Sequence, residues 1–155
     1  KKFKIGILIS LLLISKISAG EISGVPTVTD GDTIKIFNKR IRFHGIDTPE
    51  KNQICLKNFR EYKCGEKATM ALIKKIDGKR IVCKVQDRLD KYKRYIGVCF
   101  IKGVNLNRWM VRNGYAVAYR RYSKDYIEDE NYAKKNKIGL WSGKFIHPEK
   151  WRKLN

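Results

Sequence analysis

The chain has 155 residues, 43% of them hydrophobic, and its formal net charge is +20. This length and apolar content suit one domain with a buried core and argue against a multidomain protein. The excess of basic residues is larger than solubility requires, so it favours a polyanionic partner: nucleic acid first, and an anionic membrane or wall polymer second.

The N-terminal segment has the order of a secretory signal peptide. Three lysines within residues 1–4 precede an apolar run at residues 5–14, and small residues follow at positions 18–20. The run is shorter than the roughly twenty residues that cross a bilayer as a helix, so a signal peptide over residues 1–19 is favoured over an uncleaved membrane anchor. Four lysines and no acidic residue lie in that segment, which leaves +16 for one domain over residues 20–155. After cleavage we expect a secreted or periplasmic protein without stable membrane insertion.

The first half of the predicted domain reads as strands followed by an irregular stretch. Residues 21–46 alternate between apolar and polar side chains, which is typical of strands. Two of these strands, around Ile34 and Ile41, are predicted to form a hairpin with its turn at residues 38–39. Residues 48–62 are too polar and too broken for either a helical or a strand period, so we expect them to be irregular.

The second half mixes helices and strands. Apolar residues at helical spacing predict a helix over residues 65–76, and strands are predicted at residues 80–85 and 95–101. Two further helices are expected over residues 105–113 and 126–137. This order predicts an α+β fold, and about five short strands favour a five-stranded oligonucleotide-binding barrel with three helices.

Four cysteines fall in the predicted domain: Cys55, Cys64, Cys83 and Cys99. An even number of cysteines in an exported chain predicts two disulfides. The pairing of Cys55 with Cys64 and of Cys83 with Cys99 is favoured, because the last two lie on strands expected to be hairpin partners. Metal binding by four thiolates is the alternative, but no C-x-x-C spacing supports it.

Two acidic residues are predicted to converge at one end of the first hairpin. In the register that follows from its turn, Asp32 faces Gly45, and Asp47 lies on the same face about 7 Å further along the strand. Neighbouring carboxylates repel each other unless a cation or basic groups compensate, and ligands that are all oxygen atoms suit Ca²⁺. Ordinary turn chemistry at residues 30–32 and 47–49 is the alternative.

Several blocks of the chain resemble the staphylococcal nuclease family. Its three signature blocks resemble VTDGDT at residues 28–33, RFHGIDTPE at residues 42–50 and DKYKR at residues 90–94. NGYA at residues 113–116 and GLW at residues 139–141 are similar to its C-terminal landmarks. The resemblance covers about residues 22–143, and the order and spacing of the blocks agree with the family.

The resemblance implies an oligonucleotide-binding barrel with a calcium-dependent endonuclease site that cuts DNA and RNA and leaves 3′-phosphates. The carboxylates of Asp32 and Asp47 and the carbonyl of Thr48 would hold Ca²⁺. Glu50 would act as general base or orient the attacking water. The protein would act as a monomer.

The resemblance also implies a set of substrate contacts. Arg42 and Arg94 match the two arginines that hold the phosphate, and a guanidinium suits two phosphoryl oxygens better than an ammonium does. Lys91 and Tyr92 lie in the third signature block, and Tyr119 falls near a tyrosine that the family places against the nucleotide. An aromatic ring in a basic groove stacks on any base, which predicts weak sequence preference.

Three features depart from this pattern or conflict with it. The predicted hairpin register points Arg42 to the face opposite Asp47, unless a bulge at Gly45 corrects its direction. Lys93 stands where the family commonly has glycine before the second arginine, which matters if that position needs a positive φ angle. The predicted Cys55–Cys64 disulfide replaces a lysine-rich loop, and we expect it to rigidify the rim of the site.

Two other functions compete with the nuclease. A non-catalytic nucleic-acid-binding module would use the same fold after losing acids or arginines, but the chain retains all six of the implied positions. A cationic surface protein that acts through charge alone would leave Asp32, Asp47 and Glu50 without a purpose.

Overall fold

Alternating apolar side chains generate most of the regular structure in the computed structural model, which describes residues 20–155. The predicted signal peptide over residues 1–19 lies outside the described residues. In chain order the strands are β1 (Gly20–Gly24), β2 (Thr27–Asp30), β3 (Thr33–Ile36), β4 (Lys39–Phe43), β5 (Ile46–Asp47), β6 (Ile54–Lys57), β7 (Arg60–Lys63), β8 (Ile81–Leu89), β9 (Tyr95–Ile101), β10 (Val104–Asn105) and β11 (Val117–Ala118). The helices are α1 (Cys64–Ile76), α2 (Leu106–Arg112), α3 (Ile127–Lys135) and α4 (Pro148–Leu154), and a 3₁₀ turn spans Gly139–Ser142.

Seven of these strands form one curled sheet in the order β1-β8-β9-β4-β3-β2, with β10 beside β9. Strand β4 runs parallel to β9, and all other neighbours are antiparallel. Two small antiparallel sheets of two strands each, β5 with β11 and β6 with β7, lie outside this sheet. This is the predicted α+β fold with a sheet of the oligonucleotide-binding type, although it has more short strands than the expected five.

The core lies between the concave face of the sheet and the helices. Ile34 and Ile36 on β3 and Ile41 and Phe43 on β4 are fully buried, as their alternation predicts. Helix α1 turns its apolar face toward this cluster and ends where Asp77 adopts a left-handed conformation with φ +52°. The three helices predicted over residues 65–76, 105–113 and 126–137 are therefore confirmed as α1, α2 and α3, and their ends differ by at most two residues.

The register of the first hairpin differs from the prediction by two residues. Strand β3 pairs with β4 so that Ile36 faces Lys39, and the turn is therefore at residues 37–38 rather than 38–39. Asp32 consequently faces Phe43 instead of Gly45, and the Phe43 N–H donates to the Asp32 carbonyl at 2.8 Å. Because side chains repeat every two residues along a strand, both registers bury the same face, and the hydrophobic pattern does not distinguish them.

Residues 48–62, predicted to be irregular, contain strand β6 and most of β7. The two strands form a hairpin whose turn residues, Asn58 and Phe59, both have positive φ angles near +50° and +61°. Only Cys55 is buried on either strand, so the hairpin has no apolar face of its own from which a strand period could be read. A disulfide between Cys55 and Cys64 closes its base.

The second disulfide joins neighbouring strands of the main sheet. Cys83 on β8 faces Cys99 on β9, and their Cα atoms are 4.0 Å apart. These are the two bonds that the favoured pairing expects. Within residues 20–155, no helix has both the length and the apolar character that crossing a bilayer requires.

The last helix, α4, was not predicted from the sequence. Helix α4 begins with Pro148 in its first turn, but it has seven residues and only one of them is buried. A helix this short shows no repeated apolar face, so its sequence carries no helical period.

Candidate active site

A glycine turn between β4 and β5 directs the second acidic residue of the site. Gly45 has φ +73°, and a Cβ atom on it would lie 2.9 Å from Ser123 and 3.0 Å from Tyr126. The chain therefore needs glycine here both for its conformation and for its close packing. Strand β5 then pairs with β11, which holds Asp47 opposite Val117 with only 1% of its surface exposed.

This turn also brings Asp47 to the side of Arg42, contrary to the opposite faces predicted from the hairpin. The Arg42 guanidinium contacts two carboxylates: Nη1 lies 3.1 Å from Oδ2 of Asp32, and Nη2 lies 3.2 Å from Oδ1 of Asp47. The predicted opposition was wrong because side-chain alternation does not continue through the turn at Gly45. One guanidinium thus bridges the two predicted metal ligands.

Asp32 is held in place from several directions. The backbone N–H and the hydroxyl of Thr48 each donate to its Oδ2 at 2.9 Å, and the Thr33 hydroxyl donates to its Oδ1 at 3.1 Å. Burial alone would raise the pKa of this carboxyl, but the positive charge of Arg42 and the hydrogen bonds from Thr48 outweigh burial and lower it. Asp32 is therefore an ionised carboxylate at neutral pH.

The other carboxyls nearby are less well compensated. Burial raises the pKa of Asp47 to about 6, even though Arg152 and Arg42 act in the opposite direction. Burial and the charge of Asp32 raise the pKa of Asp30 to about 7. Burial is the main cause of both raised pKa values, so a cation that reached these two carboxyls would favour their ionised forms.

The donor set matches a hard cation. Carboxylate oxygens of Asp32 and Asp47, together with a backbone carbonyl such as that of Thr48, are the ligands that Ca²⁺ takes in proteins, and water completes its shell. Residues 20–155 contain no group of three or more acidic, histidine or cysteine side chains arranged around one point. A cation here would therefore depend on two carboxylates, the backbone and water.

Glu50 follows this pair on an irregular segment, and its side chain is about one-third exposed. Arg152 on helix α4 donates from Nη1 to its Oε1 at 2.8 Å. The same guanidinium bonds Asp47 twice, from Nη1 to Oδ1 at 3.0 Å and from Nη2 to Oδ2 at 2.9 Å. Arg152 is not among the predicted site residues, and the only local signal for it is Pro148 before a short basic segment.

Arg94 makes its ion pair with Asp90 and not with this group. Its Nε and Nη2 each lie 2.8 Å from Oδ2 of Asp90, in the turn that precedes β9. Arg94 comes immediately before β9, two residues before Ile96, which is the partner of Arg42 in the β4–β9 register. Lys93 has φ +58°, and it therefore supplies the positive φ angle for which the family commonly uses glycine.

The predicted substrate contacts lie on two sides of the site. In the turn before β9, Lys91 and Arg94 stack on the exposed ring of Tyr92 at 4.9 and 5.1 Å from its centroid. Tyr119 lines a cavity of about 360 Å³ together with Asp47. Burial and the Asp47 charge raise the pKa of Tyr119, which places its ring in the field of the carboxylates.

Comparison with known proteins identifies the group of proteins to which this chain belongs. Residues 40–143 match the family described as staphylococcal nuclease homologue. The succinoglycan biosynthesis protein ExoI of Rhizobium meliloti is 34% identical over 91% of this chain and 76% of its own length. A protein of Haemophilus influenzae named uncharacterized endonuclease is 31% identical over 83% of this chain and 71% of its own length. The micrococcal nuclease of Shigella flexneri is 30% identical over 84% of this chain and 80% of its own length. On this similarity, and with the signature residues folded as described, the chain belongs to the staphylococcal nuclease family.

Proposed function

We propose that this protein is a secreted, calcium-dependent endonuclease that hydrolyses phosphodiester bonds of DNA and RNA and leaves 3′-phosphate ends. Its family and the nuclease names of its relatives identify it more generally as a nuclease, a hydrolase that acts on nucleic acid. The observation that best supports calcium dependence is the convergence of two buried carboxylates, those of Asp32 and Asp47, on one guanidinium, because oxygen ligands of this kind suit Ca²⁺.

Asp32, Asp47 and the Thr48 carbonyl would hold the calcium ion. When bound, the ion offsets the negative charge that develops on the phosphoryl oxygens as the five-coordinate phosphorus forms. The Arg42 guanidinium, which contacts both carboxylates at 3.1 to 3.2 Å, would bind a phosphoryl oxygen of the substrate, because a phosphate accepts the same N–H donors.

Glu50 would orient the attacking water and accept its proton. The water oxygen forms a bond to phosphorus while the bond from phosphorus to the 5′-oxygen breaks, and the departing oxygen takes a proton from solvent. This leaves the phosphate on the 3′-oxygen of the upstream fragment and a 5′-hydroxyl on the downstream fragment. Arg94, fixed by Asp90 just before the strand that pairs with β4, would bind the second phosphoryl oxygen.

The residues around the site suit a single-stranded segment of either nucleic acid. Tyr92 is exposed between Lys91 and Arg94, and a cation-flanked ring of this kind stacks on any base. The disulfides Cys55–Cys64 and Cys83–Cys99 favour an oxidising compartment. Together with the predicted signal peptide they support secretion or a periplasmic location, and we propose that the protein acts as a monomer.

The test is digestion of single-stranded DNA, duplex DNA and RNA by the purified protein, in calcium and in excess chelator. We expect cutting when calcium is present and no cutting in excess chelator. Glu50→Gln should lower kcat by about 100-fold or more. Glu61→Gln, which changes an exposed glutamate on the β6–β7 hairpin, is the matched control and should keep full activity. Binding of oligonucleotides by the wild type without any cutting in calcium would instead identify a non-catalytic binding module.

A further inference from the structure

The C-terminal helix supplies a residue to the site that neither the family signature nor the sequence pattern identifies. Arg152 lies one turn after Pro148 on α4, and its guanidinium bonds both oxygens of Asp47 and one oxygen of Glu50 at 2.8 to 3.0 Å. It is 105 residues from Asp47 in the chain. Two parallel N–H···O bonds from one guanidinium to one carboxylate define an orientation as well as a distance.

The segment that leads into α4 is tied to the segment that carries Glu50. The buried side chain of Gln53 accepts a hydrogen bond from the Glu50 backbone N–H at 3.2 Å and donates one to the Ile146 carbonyl at 2.7 Å. Further back, Lys144 pairs with Leu56 through two backbone hydrogen bonds of 2.8 Å. The base of α4 and the loop of Glu50 are therefore parts of one connected unit.

The side chain of Glu50 depends on Arg152 for its position. Glu50 lies between β5 and β6 on a segment without regular secondary structure. Within residues 20–155, its carboxylate has no hydrogen-bond partner other than Arg152. Asp47, in contrast, is also held by Arg42 and by the β5–β11 ladder. Loss of Arg152 would therefore free Glu50 and leave the backbone position of Asp47 unchanged.

We propose that Arg152 is a positioning residue of this nuclease: it joins Glu50 to Asp47 and so sets the water-orienting carboxylate relative to the metal-ligating one. This inference rests on the proposed function, since it assigns Arg152 to the reaction proposed above. Arg152 acts through Glu50 and Asp47 and contacts neither the phosphate nor the attacking water. A misplacement of about 1 Å at a reacting group is sufficient to cost about 100-fold in rate.

The proposal predicts opposite effects on turnover and on metal binding. Arg152→Gln should lower kcat by about 100-fold because Glu50 is no longer oriented. KM for an oligonucleotide should change less than about 3-fold, because the guanidinium does not bind substrate. Calcium measured by titration calorimetry should bind about 3-fold more tightly or better, because a positive charge beside Asp47 has been removed.

Matched variants and chemical rescue separate this role from a general loss of structure. Arg152→Lys keeps the charge but not the paired geometry, so its kcat should lie between those of wild type and Arg152→Gln. Lys74→Gln removes one charge from an exposed position in the last turn of α1 and should change none of the three quantities. Methylguanidinium added to Arg152→Ala should restore part of kcat, and it should have no effect on Lys74→Gln. Circular dichroism of each variant checks that it is folded.

Four other outcomes would contradict the proposed role of Arg152, each for a different reason. Turnover that is unchanged or faster in Arg152→Gln overturns the proposal and makes Arg152 an inhibitory contact that competes with the metal. A higher KM with unchanged kcat overturns it in favour of a phosphate contact, and weaker calcium binding overturns it in favour of a purely structural role. If the wild type neither binds calcium nor cuts nucleic acid, the proposed function itself fails, and the role of Arg152 fails with it.

Discussion

The buried carboxylate of Glu130 and the acids of the candidate site differ in how many basic groups compensate each negative charge. Glu130 on α3 is completely buried and receives hydrogen bonds from Arg120 at 2.6 Å, from Lys134 at 2.8 Å and from the Ala118 N–H at 3.1 Å. Burial alone would raise its pKa, but the two cations outweigh burial and lower it. Glu130 has as many donors as its two oxygens need, and two positive charges face one negative charge.

The acids of the candidate site have fewer cations for each carboxylate. Two arginines, Arg42 and Arg152, pair with Asp32, Asp47 and Glu50, and Asp30 forms no ion pair within residues 20–155. Burial raises the pKa of Asp30 to about 7 and that of Asp47 to about 6. This is the difference expected if the acids of the candidate site accept a cation, as proposed above, whereas Glu130 stabilises the fold.

The largest effect expected from this difference concerns Glu130. Glu130→Ala leaves Arg120, Lys134 and the Ala118 N–H without their common acceptor, and we expect a loss of about 3 kcal/mol in the free energy of unfolding. Urea denaturation at pH 7 measures it. Glu128→Ala removes an exposed acid from the same helix and should cost less than about 0.5 kcal/mol.

The dependence of the free energy of unfolding on pH tests whether Arg120 and Lys134 stabilise the ionised form of Glu130. Because the pKa of Glu130 is lower in the folded protein than in the unfolded chain, its contribution is fully present above the unfolded value and is lost as pH falls through the folded one. The cost of Glu130→Gln should therefore be smaller at pH 3 than at pH 7. Equal costs at both values would mean that the cations do not stabilise the ionised form.

The second largest effect is expected from the metal. Calcium at about 100 times its dissociation constant should raise the free energy of unfolding by about 2.7 kcal/mol, because it binds only the folded site. Asp32→Asn should abolish this gain, whereas Glu130→Gln should keep it in full. Thermal unfolding with calcium and with chelator measures both. A gain that survives Asp32→Asn would place the cation elsewhere in the molecule.

The smallest effect is a gain in stability at the site. Asp30→Asn removes one of the three crowded carboxylates and keeps an oxygen to accept the Asp32 N–H, which the native Oδ1 accepts at 3.0 Å. Without metal, we expect about 1 kcal/mol of additional stability at pH 8. Asp87→Asn, at an exposed position of β8, is the control and should change little. A loss of stability in Asp30→Asn would show that the carboxylate has a partner that offsets its repulsion.

Much of the fold was accessible from the sequence because it depends on local patterns. The apolar alternation around Ile34 and Ile41 predicts the inner face of the sheet, and the helical spacing after Gly65 predicts α1. The hairpin at residues 54–63 was missed because a disulfide and backbone pairing hold it, with only Cys55 buried on its strands. A hairpin that is stabilised in this way shows no hydrophobic periodicity in its sequence.

Residue type and spacing were sufficient to identify the family and to predict that Asp32 and Asp47 converge, because the signature blocks and the hairpin are local features. The contacts of Arg42 could not be read in this way, since its role rested on the family resemblance and its predicted direction was opposite to Asp47. The turn at Gly45 brings Asp47 within 3.2 Å of Arg42, because side-chain alternation ends where the strand ends. The contact of Arg152 with Asp47 and Glu50 spans about two-thirds of the chain, and no local spacing encodes an ion pair between residues that only the packing of α4 brings together.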